Sequence, residues 1–494
     1  MTESSSQIAS KVSLLALAAF IVGASVTLAH RPSSQPEGGD EAIWDYVAQC
    51  IVRGQAPYRD VVEIKSPLSA YLSAGAIVIG RSIGLRDVIA IRYQNVLLVG
   101  LLSAVTFLVA AKYLNSLTAS CIAVLVQLAP AHFADWMVAG TEPKLPMILF
   151  ALLSILLVAK NKPFWAGFFS MLACLCWQPG LMFTGVALLI FSRYLTRWSD
   201  LAALKVMLGA FVPLVATILY FLWIGALEDL WLWTVVYNVS VYAPETAKGI
   251  LETVGLLWRV FVRVFRVDLV FLALAAAGLI LFAIERVKAR HKPDILEPRL
   301  FEDAIVIIPL IYLGFCFINF QSGPDLIPLF PFIGMFVGWL LTSGLRFGAR
   351  LANRLPGAAI IILLVLIVFR SLTYSVQSEL TLQDQERALE AISAVVNPAD
   401  GVYVHGTVEI LVLLNRPNLN PHVSLRQGKD EFLAQRTPGG FRAFIDQMEA
   451  SAPKMVAISR AGRLTHRAEL FQWIEAHYDP LVLTGYEGVY LRRQ

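Results

Sequence analysis

Some of the acidic residues in this chain gather in short stretches between apolar runs: Asp40, Glu41 and Asp45; Asp60 and Glu63; Asp135 and Glu142; Glu228 and Asp229; and Asp325. The densest stretch, residues 39–68, runs Gly39-Asp40-Glu41, then Tyr46, then Gly54-Gln55-Ala56-Pro57-Tyr58-Arg59-Asp60, then Glu63-Ile64-Lys65-Ser66-Pro67-Leu68. Carboxylates placed this way can take up a proton, and a lysine among them can answer an anionic group. Signatures of soluble catalysis are absent: there is no GxGxxG, GxxxxGK[ST], HExxH or GxSxG. The apolar runs 164–191, 206–224, 304–320 and 326–345 hold almost no ionisable residue, whereas ion-coupled transporters bury such groups at mid-membrane. A dry body with an acidic rim suits interfacial chemistry on a lipid-linked substrate.

Those groups must be held by a membrane scaffold. Of 494 residues, 57% are hydrophobic and 15% charged, against roughly 45–50% and 25% in soluble domains. That excess exceeds what one core absorbs and excludes a soluble enzyme, a fibrous or disordered chain and a disulfide scaffold. A net charge of +4 is too small to argue for a nucleic-acid partner, and no long Lys/Arg run supports one. Of the five cysteines, Cys50, Cys121, Cys174, Cys176 and Cys316, four lie in apolar runs and read as small hydrophobes.

Apolar runs recur at 12–29, 88–111, 117–134, 143–159, 164–191, 203–224, 269–284, 304–320, 326–345 and 355–369. The long run 164–191 breaks at Gln178-Pro179-Gly180 and reads as two helices, so about 11 spans are expected. Residues 67–80 are too short for a span and read as an interfacial or re-entrant helix. The first run reads as an uncleaved helix rather than a signal peptide. Short-loop cations (Lys112; Lys160 and Lys162; Arg193 and Arg197; Arg286 to Arg299; Arg346 to Arg354) place the N-terminus in the cytoplasm. The acidic rim and the segments 30–87, 225–266 and 373–494 then lie outside. The last segment turns polar, with expected helices at 380–396, 440–450 and 464–478, strands at 402–404 and 454–459, and a hairpin over 481–492. The expected fold is a polytopic α-helical membrane protein, residues 1–372, with an extracytoplasmic C-terminal α/β domain, residues 373–494.

The 39–68 pattern resembles the GT-C class of membrane glycosyltransferases, in the branch of the protein O-mannosyltransferases and lipid A aminoarabinose transferases. These place a DE…Y…A…GxxPYxD…ExKxPL pattern in their first outer loop. Asp135…Gly140-Thr141-Glu142-Pro143 is a second match, and Trp177-Gln178-Pro179-Gly180 and Ile327-Pro328-Leu329-Phe330-Pro331 are weaker ones.

The resemblance implies transfer of a sugar from a polyprenyl-phosphate donor to an acceptor hydroxyl, with inversion, at the outer face of a bacterial inner membrane. The partners would be that donor, the bilayer, and a glycan, lipid or protein acceptor. It implies Asp40 as general base, with a plain helix N-cap as the alternative, and Glu41 beside it. Lys65 becomes the phosphate partner, with lipid anchoring as the alternative. Tyr58, Arg59, Asp135 and Glu142 become substrate contacts. Glu63 would position Lys65 or hold a divalent metal; no cofactor is otherwise implied. The family often has a basic or aromatic residue before its Leu-Pro, where this chain has Gly323-Pro324-Asp325, so Arg259, Arg263 or Arg266 is expected to supply a second phosphate contact. A competing reading is a transporter or flippase of a lipid-linked sugar, with the rim acids as gate residues.

Overall fold

The structure is a computed structural model that describes residues 5–192, 201–290, 303–344, 349–373, 380–459, 461–483 and 485–493. Each apolar run read from the sequence carries helix. In chain order these are α1 (Ser5–Ala29), α2 (Gly39–Val52), α3 (Leu68–Ser82), α4 (Asp87–Leu114), α5 (Leu117–Leu128), α6 (Ala131–Val138) and α7 (Lys144–Ala159). They continue with α8 (Pro163–Cys176), α9 (Leu181–Ser192) and α10 (Ala202–Trp223). Short turns, several of them π-helical, fill residues 227–246, followed by α11 (Ile250–Val260), α12 (Leu269–Arg290), α13 (Ala304–Ile318), α14 (Phe330–Trp339) and α15 (Ala349–Thr373).

Five helices are long and apolar enough to cross a membrane: Ser6–Ala29, Asp87–Leu114, Ala202–Trp223, Leu269–Lys288 and Gly323–Thr342. Leu117–Leu128 and His132–Val138 form a pair bent by 67°. The apolar helices Lys144–Ala159, Pro163–Cys176, Gln178–Ser192, Ala304–Ile318 and Leu355–Arg370 are shorter, at 10–17 residues. At 1.5 Å per residue they are shorter than a hydrocarbon core of about 30 Å. The cause at 164–191 is visible. Trp177 is extended (φ −156°, ψ 132°), and Gln178-Pro179-Gly180 forms a short 3-10 turn in which Pro179 has no N–H to give to the helix ladder. Of the loop cations, Arg193, Arg197, Lys292, Arg299 and Arg346 lie outside the described residues.

The segment 225–266 is largely helical. Tyr237 packs on Trp233 and Tyr242, and Trp233 and Tyr237 are buried.

Beyond α15 come α16 (Leu382–Val395), α17 (Glu409–Leu414), α18 (Lys429–Arg436), α19 (Gly440–Ser451) and α20 (Arg467–His477). With them are β1 (Val402–His405), β2 (Met455–Ile458), β3 (Tyr478–Leu483) and β4 (Tyr486–Arg492), in a sheet of order β1-β2-β4-β3. The β1–β2 pair is parallel; β2–β4 and β3–β4 are antiparallel. Both β1 and β2 are buried at every position, in keeping with the apolar runs Val402-Tyr403-Val404 and Met455–Ile458. Helices α17 and α18 were not expected from the sequence.

Period-two alternation sends the sheet's side chains to two separate cores. Tyr403, Val456 and Ile458 pack with Phe441, Phe444, Leu470 and Trp473 of α19 and α20. Val402, Val404, Met455 and Ala457 pack with Ala42, Tyr46, Val47 and Cys50 of α2. Helix α2 is therefore clamped against the sheet. Polar ties reinforce the clamp: Tyr46 Oη accepts from Asn418 N at 2.7 Å, Val62 N donates to Pro421 O at 2.9 Å, and Gln49 Nε2 donates to Val412 O at 3.1 Å.

Candidate active site

A cleft of about 360 Å³ opens where α2, the 63–66 loop, the start of α7, the Trp177 break, residues 234–243, residues 319–325 and the turn 424–429 meet. Asp40, Glu63 and Lys65 line it together. Asp40 stands exposed in the first turn of α2 and makes no ion pair among the described residues. Glu63 is 7% exposed, and its Oε1 accepts from Ile64 N at 2.7 Å and Lys65 N at 2.8 Å. Its carboxylate thereby fixes the loop that carries Lys65. The Ile64 carbonyl is held by Gln178 Nε2 and Asn238 Nδ2, each at 2.7 Å.

Lys65 Nζ lies 3.8 Å above the centroid of the Trp44 ring and 5.7 Å from that of Trp177. Lys144 joins the same two rings, at 6.0 and 5.1 Å. A cation over an indole face is held electrostatically without a counter-ion. Burial, and then repulsion from Lys144, pushes the Lys65 ammonium down to about 8. The two lysines differ in their partners. Lys144 Nζ meets Glu142 Oε1 at 3.1 Å and Asp325 Oδ1 at 3.7 Å, whereas Lys65 has no carboxylate partner among the described residues. Asp325 Oδ2 also accepts from Gln321 N at 2.7 Å and Ser322 N at 3.0 Å.

The other expected site residues stand behind this wall. Tyr58 is buried, and its hydroxyl donates to Lys65 O at 2.7 Å, so it supports the loop rather than facing a ligand. Arg59 is exposed outside the cleft, bound to Asp60 at 2.9 Å and Ile224 O at 2.9 Å. Glu41 is not on the cleft wall; burial, and then nearby Glu142, pushes its carboxyl up to about 7. Glu142 is buried against Lys144. Asp135 pairs with His30 at 2.9 Å and His132 at 3.4 Å, away from the cleft. Arg259, Arg263 and Arg266 are exposed and do not line it; the basic residues that join Lys65 there are Lys144, Arg426 and Lys429. No group of three His, Cys, Asp or Glu among the described residues could hold a metal. With Glu63 Oε1 taken by two amides, the donors present do not fit a divalent ion.

Sequence reasoning missed Arg92, which lies within an apolar run. It is fully buried, meets Glu37 at 2.9 Å, and donates to the carbonyls of Pro32, Gln35, Pro36 and Ala139. It joins the segment before α2 to the loop before α7. The same junction needs Gly140, where an added Cβ would come within 2.9 Å of Asp45 Oδ2 and 3.0 Å of Glu41 Cβ. Asp45, a buried residue of α2, accepts from Thr141 N at 2.8 Å.

No family model and no curated protein matches the sequence. Solved structures do. ArnT from Cupriavidus metallidurans bound to undecaprenyl phosphate superposes with a TM-score of 0.63 at 11% identity, covering 99% of this chain and 98% of that one. Its apo state gives 0.62 at 13%, covering 98% of each chain. The Archaeoglobus fulgidus oligosaccharyltransferase AglB, in complex with an inhibitory peptide and a dolichol-phosphate, gives 0.54 at 11%, covering 90% of this chain and 69% of that one. The chain therefore has the fold of GT-C membrane glycosyltransferases.

Proposed function

We propose that this protein transfers a sugar from a polyprenyl-phosphate donor to an acceptor hydroxyl, with inversion at the anomeric carbon. The observation that carries this reading is the pairing, in one cleft of a GT-C fold, of an exposed carboxylate, Asp40, with an unpaired lysine, Lys65. Asp40 takes the proton of the acceptor hydroxyl as that oxygen attacks the anomeric carbon. The bond from that carbon to the phosphate oxygen breaks with its electrons on the phosphate. Lys65 stabilises the departing lipid phosphate. Glu63 positions Lys65 through its own and the preceding backbone amide. No step is routed through a metal.

The lipid tail has an apolar path. A groove of about 590 Å³ is lined by Trp258, Phe261, Phe265, Leu272, Phe332 and Phe336 of α11, α12, α14 and the turns beside them. ArnT was solved with undecaprenyl phosphate, which supports a donor on the same carrier here. We place about 11 spans in residues 1–372, with outer segments 30–87 and 225–266. The C-terminal residues 373–494 then form a periplasmic α/β domain, the N-terminus lies in the cytoplasm, and the membrane is a bacterial inner membrane. The transporter reading is disfavoured, because the solved structures that share this fold over nearly the whole chain are glycosyltransferases.

The test is Asp40→Asn in full-length protein with radiolabelled lipid-linked sugar. Transfer should be lost while undecaprenyl-phosphate binding persists. Near-normal transfer by the variant would remove Asp40 as base.

A further inference from the structure

The loop that carries Lys65 is held by two side-chain amides whose other ends are unused. Gln178 Nε2 and Asn238 Nδ2 both donate to Ile64 O, each at 2.7 Å. Asn238 Nδ2 also reaches Thr234 O at 3.0 Å and Trp233 O at 3.2 Å. A backbone carbonyl only accepts, so these contacts fix which end of each amide is the nitrogen. The oxygen of each is left over. Neither oxygen accepts a hydrogen bond among the described residues, and neither is shut away from solvent. Both residues line the cleft, so their oxygens open onto it.

Both side chains are set by the backbone around them. Gln178 sits in the turn that separates α8 from α9. Gly180 lets that turn close, since a Cβ there would come 2.5 Å from the Ala173 carbonyl carbon. Asn238 lies on the π-helical turns whose Trp233 and Tyr237 are buried, and three carbonyls share its amide. Side chains already fixed in this way lose little freedom when a ligand binds.

Uncharged oxygens select a ligand that brings its own hydrogens. An ionised carboxylate or phosphate brings none. A buried ammonium calls for a carboxylate, and the acids on this wall are committed. Glu63 Oε1 holds two amides, Asp325 holds Lys144 and two amides, and Asp40 serves the transfer. Hydroxyl groups remain, and two amides hung on one carbonyl are close enough to meet hydroxyls of one ring. We propose that Gln178 and Asn238 form the sugar subsite of the cleft, their side-chain oxygens accepting from two hydroxyls of a neutral sugar. The inference rests on the transfer reading above.

The test uses the full-length protein in nanodiscs. It reads the affinity of undecaprenyl phosphate carrying a sugar relative to that of bare undecaprenyl phosphate, so any loosening of the Lys65 loop cancels. The sugars are glucose, mannose, galactose and arabinose, their monodeoxy forms, and aminoarabinose. With the wild type, at least one of the four neutral sugars should bind tighter than the bare lipid. Gln178→Met and Asn238→Leu should each lower that ratio about five-fold, the worth of one uncharged hydrogen bond. One monodeoxy form of the same sugar should give equal ratios with the wild type and Gln178→Met, because the hydroxyl that Gln178 holds is gone from it. A residue that only props the loop would not single out one hydroxyl. Ratios unchanged in both variants, no gain from any neutral sugar, or a gain from aminoarabinose alone would overturn the subsite while leaving the transfer reading in place. Failure of the wild type to bind bare undecaprenyl phosphate would overturn the transfer reading, and the subsite with it.

Discussion

Replacing Arg92 with methionine should free the segment before α2 while leaving the cleft side chains themselves unaltered. Arg92 and Glu37 are both buried, 2.9 Å apart, and four backbone carbonyls depend on the same guanidinium. Removing one partner of a buried ion pair costs about 3–5 kcal/mol, because the other charge stays behind unpaired. Burial already pushes the Glu37 carboxyl up, Asp45 adds to this, and Arg92 opposes it; without Arg92 the acid should take up a proton and recover part of the loss. A net cost of about 4 kcal/mol corresponds to roughly a 10³-fold change in an equilibrium constant. Hydrogen exchange in detergent reads this directly as lost protection of the amides of residues 33–45. Glu37→Gln in the Arg92→Met background removes the stranded charge, so the double variant should regain about half of the lost protection. If Arg92→Met changed protection there by less than ten-fold, the junction would not be what holds α2, and the account of how Asp40 is positioned would fail.

Two further outcomes follow from the cleft. Lys65 is held down to about 8, so its charge is present below that pH and lost above it. Undecaprenyl-phosphate affinity should therefore fall as pH rises through 8, and Lys65→Arg, whose guanidinium stays charged, should flatten the fall; a wild-type profile level from pH 7 to 9.5 would refute it. Because the donors around Glu63 do not fit a divalent ion, transfer measured before and after EDTA treatment should agree within about two-fold, and loss of transfer restored by added Mn²⁺ or Mg²⁺ would contradict that reading.

The residues given roles in the proposed transfer were legible because they are close in sequence. Asp40, Glu63 and Lys65 sit in one short stretch, so its side-chain types alone exposed them. The same stretch could not show that Tyr58 turns inward to hold the Lys65 carbonyl, or that Arg59 is taken up by Asp60 outside the cleft. Glu142 read as a helix-start acid, and only packing showed it buried against Lys144. Arg92 was hidden by its surroundings, since one charge in an apolar run shows no partner until the loops fold over it.

Sequence alone determined that the chain is a membrane protein, where its apolar helices lie, and which short stretch concentrates acidic and basic side chains. These follow from composition and local periodicity, which survive in any fold. Only the tertiary structure decided that Trp177, Lys144, Asp325, Arg426 and Lys429 share one cleft with that loop. These residues come from separate elements, and no local signal encodes their meeting. It is produced when the sheet buries one face of α2 and the broken helix at Trp177 opens a space that an unbroken span would have filled.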